Sequence, residues 1–249
     1  MSPLSSTPTS GPSTMLLEVR DLEVAYGDYQ VLWGVSLSVA AGESVALLGP
    51  NGSGKSTVVN TISGLLAAKA GEIRFDGASL KARPTHVRAS LGIAHVLERR
   101  RVFPHLTVLQ NLTLGAWHSA AKAARARTLE RVFTLFPRLS ECKSQLARTL
   151  SGGEQQMLAL GRGLMALPRL LMVDEPFLGL APRVVEQMKS VFQALQGEGI
   201  AILFIEQNVR LALSIAGRGY ILESGRLAIE GDAPTLINSP EVRRIFLGG

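Results

Sequence analysis

Residues 49–56 read Gly49-Pro50-Asn51-Gly52-Ser53-Gly54-Lys55-Ser56 and follow the apolar run Ser44-Val45-Ala46-Leu47-Leu48. The stretch satisfies G-x-x-x-x-G-K-[ST] between a strand-like run and a segment that reads as a helix from about Lys55. Glycines let a backbone fold its N–H groups inward, and a helix N-terminus adds the positive end of its dipole. The result is a phosphate cradle in which Lys55 reaches the β- and γ-phosphates and the Ser56 hydroxyl ligates Mg²⁺. Gly49, Pro50, Asn51, Gly52, Ser53, Gly54, Lys55, Ser56 and Thr57 are therefore the candidate nucleotide-binding residues.

Working outward, two further apolar runs, Leu170-Leu171-Met172-Val173 and Ile200-Ala201-Ile202-Leu203-Phe204-Ile205, suit central parallel strands buried on both faces. Their ends carry Asp174 and Glu206, as the first run ends at Gly49. In an open α/β sheet that carboxyl edge is where ligands bind. Asp174-Glu175 thus places a carboxylate pair beside the phosphate cradle. Asp174 is expected to hold Mg²⁺ through water, and Glu175 to orient and polarise an attacking water.

Shorter strands are expected at Leu16–Val19, Leu22–Val24 and Val35–Val39, and a hairpin at Tyr220–Ile229 turning on Ser224-Gly225. Between about residues 88 and 165 Ala, Leu, Lys and Arg dominate, which predicts a helical insertion in the α/β core. Of the first fourteen residues eleven are Ser, Thr or Pro. They lack a basic and an apolar region, so residues 1–14 read as a disordered leader and not as a signal peptide.

Composition narrows the classes without choosing one. Apolar residues make up 46% and charged ones 18% of 249 residues, against disorder or a charge-laced coiled coil. No stretch reaches the ~18–20 apolar residues a membrane span needs. The net charge of +6 admits nucleic acid, a phosphorylated ligand or an anionic membrane surface. With 5% aromatic residues and no stacking motif, nucleic acid is the poorest of the three. The lone Cys142 excludes an intramolecular disulfide framework and fits a reducing compartment.

Leu150-Ser151-Gly152-Gly153-Glu154-Gln155-Gln156 lies about one hundred residues after the cradle and about twenty before Asp174. The wording and spacing resemble the ATP-binding-cassette (ABC) ATPases, and the resemblance runs from Met15 to Gly249. It implies an α/β P-loop NTPase of residues 15–249, with a mostly parallel core sheet, an N-terminal antiparallel β subdomain and the inserted helical subdomain. It further implies that Ser151, Gly152 and Gly153 close over the γ-phosphate bound by a second ATPase subunit, so that ATP and Mg²⁺ sit in composite sites. Tyr26 matches the aromatic that stacks on adenine. Glu98 stands where the family usually carries a Mg²⁺-sensing Gln, and Gln207 where many relatives carry a switch His. None of His86, His95, His105 or His118 is placed to substitute.

Glu98 with Arg100-Arg101-Val102-Phe103-Pro104, then Gly179-Leu180-Ala181-Pro182 and Glu206-Gln207-Asn208, resembles one importer branch. That branch is the second ATPase subunit of branched-chain amino-acid uptake systems; urea or short-amide importers carry a very similar ATPase. The resemblance implies a second ATPase subunit and two transmembrane permease subunits as partners, with a solute-binding protein acting through them. It implies a peripheral place on the cytoplasmic face of the inner or plasma membrane and no nucleic acid. A soluble ABC ATPase of DNA repair would add a long coiled coil, and one of translation a second cassette; neither is visible in the sequence. Leu97, Arg99 and Phe177 depart from the branch. Phe177 is expected to remove a hydroxyl near the subunit seam. The run Arg99-Arg100-Arg101 reads either as a solvated loop or as a contact with a permease helix or lipid headgroups.

Overall fold

The computed structural model describes residues 15–247, so the leader expected at residues 1–14 lies outside the described residues. The chain opens with β1 (Met15–Tyr26) and β2 (Tyr29–Ala40), then β3 (Ser44–Leu48) and α1 (Lys55–Ser63). Next come β4 (Ala70–Phe75), β5 (Ala78–Ser79), α2 (Thr85–Ser90) and β6 (Ile93–Val96). A helical stretch follows: α3 (Val108–Gly115), α4 (Ser119–Ala123), α5 (Arg125–Leu135), α6 (Pro137–Glu141) and α7 (Gly152–Leu164). The core resumes with β7 (Leu170–Asp174), α8 (Pro182–Gly197), β8 (Ala201–Glu206), α9 (Val209–Leu213), β9 (Arg218–Glu223), β10 (Arg226–Asp232), α10 (Ala233–Asn238) and α11 (Pro240–Leu247).

Two sheets form. One has the order β2-β1-β4-β5, with every pairing antiparallel. The other, six-stranded, has the order β10-β9-β3-β8-β7-β6 and is parallel except for the β9–β10 hairpin. Every residue of β3, β7 and β8 is buried, which is why these strands read as unbroken apolar runs. Their alternation serves two cores. Ala46, Leu48, Leu171, Val173, Ile202 and Phe204 join a core shared with the helical stretch and α8. Val45, Leu47, Leu170, Met172, Leu203 and Ile205 pack with β1, β2 and α1. Each face of the central sheet is therefore covered, and the polar side chains of β7 and β8, Asp174 and Glu206, sit at its carboxyl edge.

The structure differs from the sequence expectations at three places. The span 88–165, read as helical throughout, contains β6, which pairs parallel to β7 from Ile93↔Leu170 to Val96↔Val173. Four residues, one of them a His, make too short an apolar run to stand out against the helical residues beyond. Leu16–Val19 and Leu22–Val24 belong to one strand, β1, which jogs at Asp21, where φ is 46° and the pairing with β2 slips register. Finally, Phe177 is buried, with its ring 5.9 Å from that of Phe192 and 6.5 Å from that of Phe204. Its side chain is thus a core anchor for β8 and α8, and not a surface group at a subunit seam.

Candidate functional site

The parallel registers set Leu48 beside Glu206 and Asp174 beside Ile205. The segments leaving β3, β7 and β8 therefore emerge side by side. Gly49 opens the first of them at φ 153°, and a Cβ there would come within 2.3 Å of the Leu222 carbonyl oxygen, so only glycine fits. Gly54, at φ 104°, precedes α1; no side chain caps this helix and its first turn holds no acid. The leading N–H groups of α1 are thus left without side-chain acceptors, the condition under which a helix N-terminus takes an anion. In the same loop Ser53 Oγ is buried and has no hydrogen-bond partner among the described residues.

Lys55 is only 5% exposed. Its Nζ donates to the carbonyl oxygens of Gly49 at 2.8 Å and Pro50 at 3.0 Å. Burial lowers its pKa, opposed by the charges of Glu175, Asp174 and Glu206. Across from it Asp174 is pushed up to about 6 by burial, while a hydrogen bond from the Ser56 hydroxyl works the other way and the charges of Glu175 and Glu98 add to the rise. The carboxylates of Asp174, Glu175 and Glu98 and the Lys55 ammonium thus act on one another beside Ser56. Among the described residues no group of three or more His, Cys, Asp or Glu is arranged to hold a metal ion by itself. Mg²⁺ suits such a place, since it keeps several waters and is held by few protein oxygens plus substrate phosphates. Ser56, Asp174 and Glu98 fit that donor set.

Glu175 follows directly at φ 47°, a conformation costing a non-glycine residue on the order of 1–3 kcal/mol. It is held there by its backbone N–H, which donates to Ile205 O at 2.9 Å, and the Gln207 amide donates to its carboxylate. Tyr26 stands at the end of β1, about half exposed, its hydroxyl 3.5 Å from Thr57 Oγ1. Tyr26, Asn51, Gly52, Gly54, Lys55, Ser56, Thr57, Glu98, Glu175 and Gln207 line one open cleft of about 720 Å³. Gly49 and Pro50 contribute through their carbonyls behind it. Arg99, marked in the sequence as a departure from the branch, also lines it, as do Val31 and Leu178, which no signal in the sequence marked. None of His86, His95, His105 or His118 does; His95 is instead half-buried beside Ser63, with its pKa lowered by desolvation to about 4.

Ser151, Gly152 and Gly153 are not brought to this cleft. They open α7, where Ser151 Oγ accepts the Glu154 N–H and the Glu154 carboxylate accepts the Ser151 N–H at 2.7 Å, a capping box. In the Arg99-Arg100-Arg101 run Arg99 and Arg101 are exposed and Arg100 is half-buried. Arg99 pairs with Glu98, and Arg101 O accepts a hydrogen bond from Arg162 at 2.7 Å. The Arg100 guanidinium lies across Gly152, so close that a methyl group there would come within 2.7 Å of Nη1. The fifty-one residues between these two positions hid that contact from a sequence reading.

A phosphate cradle, a carboxylate pair at the sheet edge and a second, self-capped glycine-rich helix start now stand together, and a profile described as ABC transporter matches residues 32–178. The chain belongs to the ABC transporter ATPase family. The high-affinity branched-chain amino acid transport ATP-binding protein BraG of Pseudomonas aeruginosa is 42% identical over 94% of this chain and all of its own length. The probable branched-chain amino acid transport ATP-binding protein LivF of Archaeoglobus fulgidus is 34% identical over 94% of this chain and 99% of its own. The lipopolysaccharide export system ATP-binding protein LptB of Haemophilus influenzae is 32% identical over 94% and 97%. In three dimensions the crystal structure of the ADP conformation of an ATP-binding cassette superposes with a TM-score of 0.82 at 27% identity, covering 94% of this chain and 99% of that one. This ABC ATPase therefore binds and hydrolyses nucleotide, and as a transporter ATPase it works with transmembrane permease components. Among its described residues no helix is long and apolar enough to cross a membrane.

Proposed function

We propose that this ATPase powers uptake of branched-chain amino acids through a membrane permease, bound to the permease at the cytoplasmic face of the membrane. The observation that carries the reading is the end-to-end likeness to BraG at 42%, ten percentage points above that to the export ATPase LptB. In the proposed cycle Lys55 exchanges the Gly49 and Pro50 carbonyls for the β- and γ-phosphates of ATP, and the bare N-terminus of α1 supplies N–H donors to the same phosphates. Tyr26 stacks on the adenine. Ser56, with Asp174 and Glu98 beside it, would hold Mg²⁺, which would supply charge neutralisation at the phosphates. Glu175 accepts a proton from the attacking water while the Gln207 amide holds its carboxylate in place. A glutamine does this without a charge that titrates near neutral pH, unlike a histidine.

Ser151, Gly152 and Gly153 complete the site on a second ATPase subunit, since they do not reach the cleft of their own chain. A groove of about 520 Å³ beside β6 and α7, with Phe103, Leu114 and Trp117 exposed along it, supports docking of a permease helix. A solute-binding protein acts only through the permease. The test is transport by the complex purified around this chain and placed in proteoliposomes. ATP-dependent inward movement of labelled leucine is expected; transport of urea in its place, or outward movement, would overturn the reading.

A further inference from the structure

β8 contributes one residue that the proposed cycle does not use. Five of its six positions are Ala, Ile, Leu, Phe and Ile, all buried; the sixth is Glu206, only 6% exposed. Its Oε1 accepts the backbone N–H of Phe177 at 3.3 Å, and the N–H groups of Gln207 and Asn208 turn toward the same carboxylate. Among the described residues no Lys, Arg or His forms an ion pair with it. Burial pushes its pKa up to about 7, and the nearby charge of Glu175 adds to the rise. A buried carboxylate without a cation costs the fold, and any of the apolar residues that fill the rest of β8 would cost less.

What it connects explains why it is there. Phe177 lies two residues beyond Glu175, and its ring is locked against Phe192 and Phe204. Gln207 lies one residue beyond Glu206 and touches Glu175. One carboxylate thus receives N–H groups from both segments that carry the hydrolytic pair. We propose that Glu206 is a positioning residue, whose carboxylate ties the segment after β7 to the segment after β8 and so holds Glu175 and Gln207 in register for water attack. Side chains that bridge two loops by accepting backbone N–H groups set the distance between them, and small misplacements of a general base are costly in rate.

The inference rests on the reading of Glu175 as the water-activating group, so the experiment carries Glu175→Gln as a separate arm. ATP hydrolysis and ATP affinity are measured for the full chain and for Glu206→Ala and Glu206→Gln, each within its transporter complex. Glu206→Ala, which removes the acceptor, is expected to lower kcat about tenfold or more while ATP Kd stays within about twofold. Glu206→Gln keeps one acceptor oxygen and is expected to return kcat to within about threefold of the parent. An unchanged kcat in the alanine variant, a parallel loss of kcat and ATP binding, or a glutamine variant as slow as alanine would each overturn the positioning role. If Glu175→Gln itself kept full turnover, the underlying catalytic reading would fail instead; loss in that arm with none in Glu206→Ala would remove Glu206 alone.

Discussion

The molecule begins two helices with glycine-rich turns, and the two starts are built in opposite ways. α1 follows Gly54 with no side-chain cap and no acid in its first turn. α7 follows Ser151 with a complete capping box and Glu154 in its first turn, itself paired with Arg138 at 2.6 Å. Capping satisfies one donor of a helix start and places a carboxylate near the others. The bare start is prepared to take a highly charged group from solvent, and Lys55 waits beside it on backbone carbonyls. The capped start is stable by itself and keeps only Gly152 and Gly153 N–H groups for an anion.

The largest test of this contrast lies on the bare side. Glu175→Gln is expected to lower steady-state hydrolysis about a thousandfold, within the range for losing a general base. ATP affinity should be retained, because the Gly49–Thr57 cradle is untouched. Phosphate release measures the first quantity and equilibrium binding the second. Retained turnover would separate the bare helix start from hydrolysis altogether.

The same side carries a cost that titration reveals. Glu206 has a folded-state pKa raised to about 7 from 4.5. A raised carboxylate pKa means the folded chain binds the proton more tightly than the unfolded one. Its penalty is absent below about pH 4.5, accrues as pH rises, and is complete above about pH 7. Glu206→Gln should therefore raise stability at pH 8, by on the order of 2–3 kcal/mol for a shift of this size in a buried group, and add nothing near pH 4. Chemical denaturation of the nucleotide-free chain at the two pH values checks it; equal gains at both would refute the sign.

Direct exchange between the two helix starts gives the next effect. Lys55→Ala should weaken ATP binding about a hundredfold, about 2.7 kcal/mol, since charge-assisted bonds to phosphate are lost. Gly152→Ala should leave ATP affinity of the chain unchanged, yet reduce ATP-driven pairing of ATPase subunits about tenfold, because the added methyl displaces Arg100 from the face of α7. Binding by the chain alone, followed by sedimentation with ATP, distinguishes them. A loss of ATP affinity in Gly152→Ala would mean that both starts serve the same cleft.

Legibility in the sequence follows the range of the interaction. The loop Gly49–Ser56 is legible because close backbone approach admits glycine and phosphate demands a cation, both within eight residues. β3, β7 and β8 are legible because burial on two faces leaves nothing polar in the run. β6 escaped because its pairing with β7 supplies what Ile93-Ala94-His95-Val96 lacks in pattern. The burial of Phe177 depends on Phe192 and Phe204, fifteen and twenty-seven residues away, and the place of Arg100 on Gly152 depends on how α7 docks. Glu206 was visible as a strand-end carboxylate, but the Phe177 N–H it accepts comes from another loop and carries no side-chain signature.

The smallest effect sharpens the contrast from the capped side. Glu154 has its pKa lowered, first by the hydrogen bond from Arg138; burial opposes this, and the Ser151 N–H and hydroxyl add to the fall. A lowered carboxylate pKa contributes stability that is present above the unfolded value of 4.5 and is lost as pH falls through the folded value. This is the reverse of Glu206. Glu154→Gln keeps an acceptor for the Ser151 N–H, so the capping geometry survives and only the charge is removed. Arg138 is half exposed, which screens the pair and limits the loss to about 0.5–1 kcal/mol at pH 7. The loss should vanish in acid, where the parent carboxylate is protonated as well. Denaturant midpoints of the two chains across pH 3 to 8 measure it. A loss that persisted in acid would show that glutamine had broken the cap, and the stability of α7 would then rest on the geometry of the box and not on the charge at its third position.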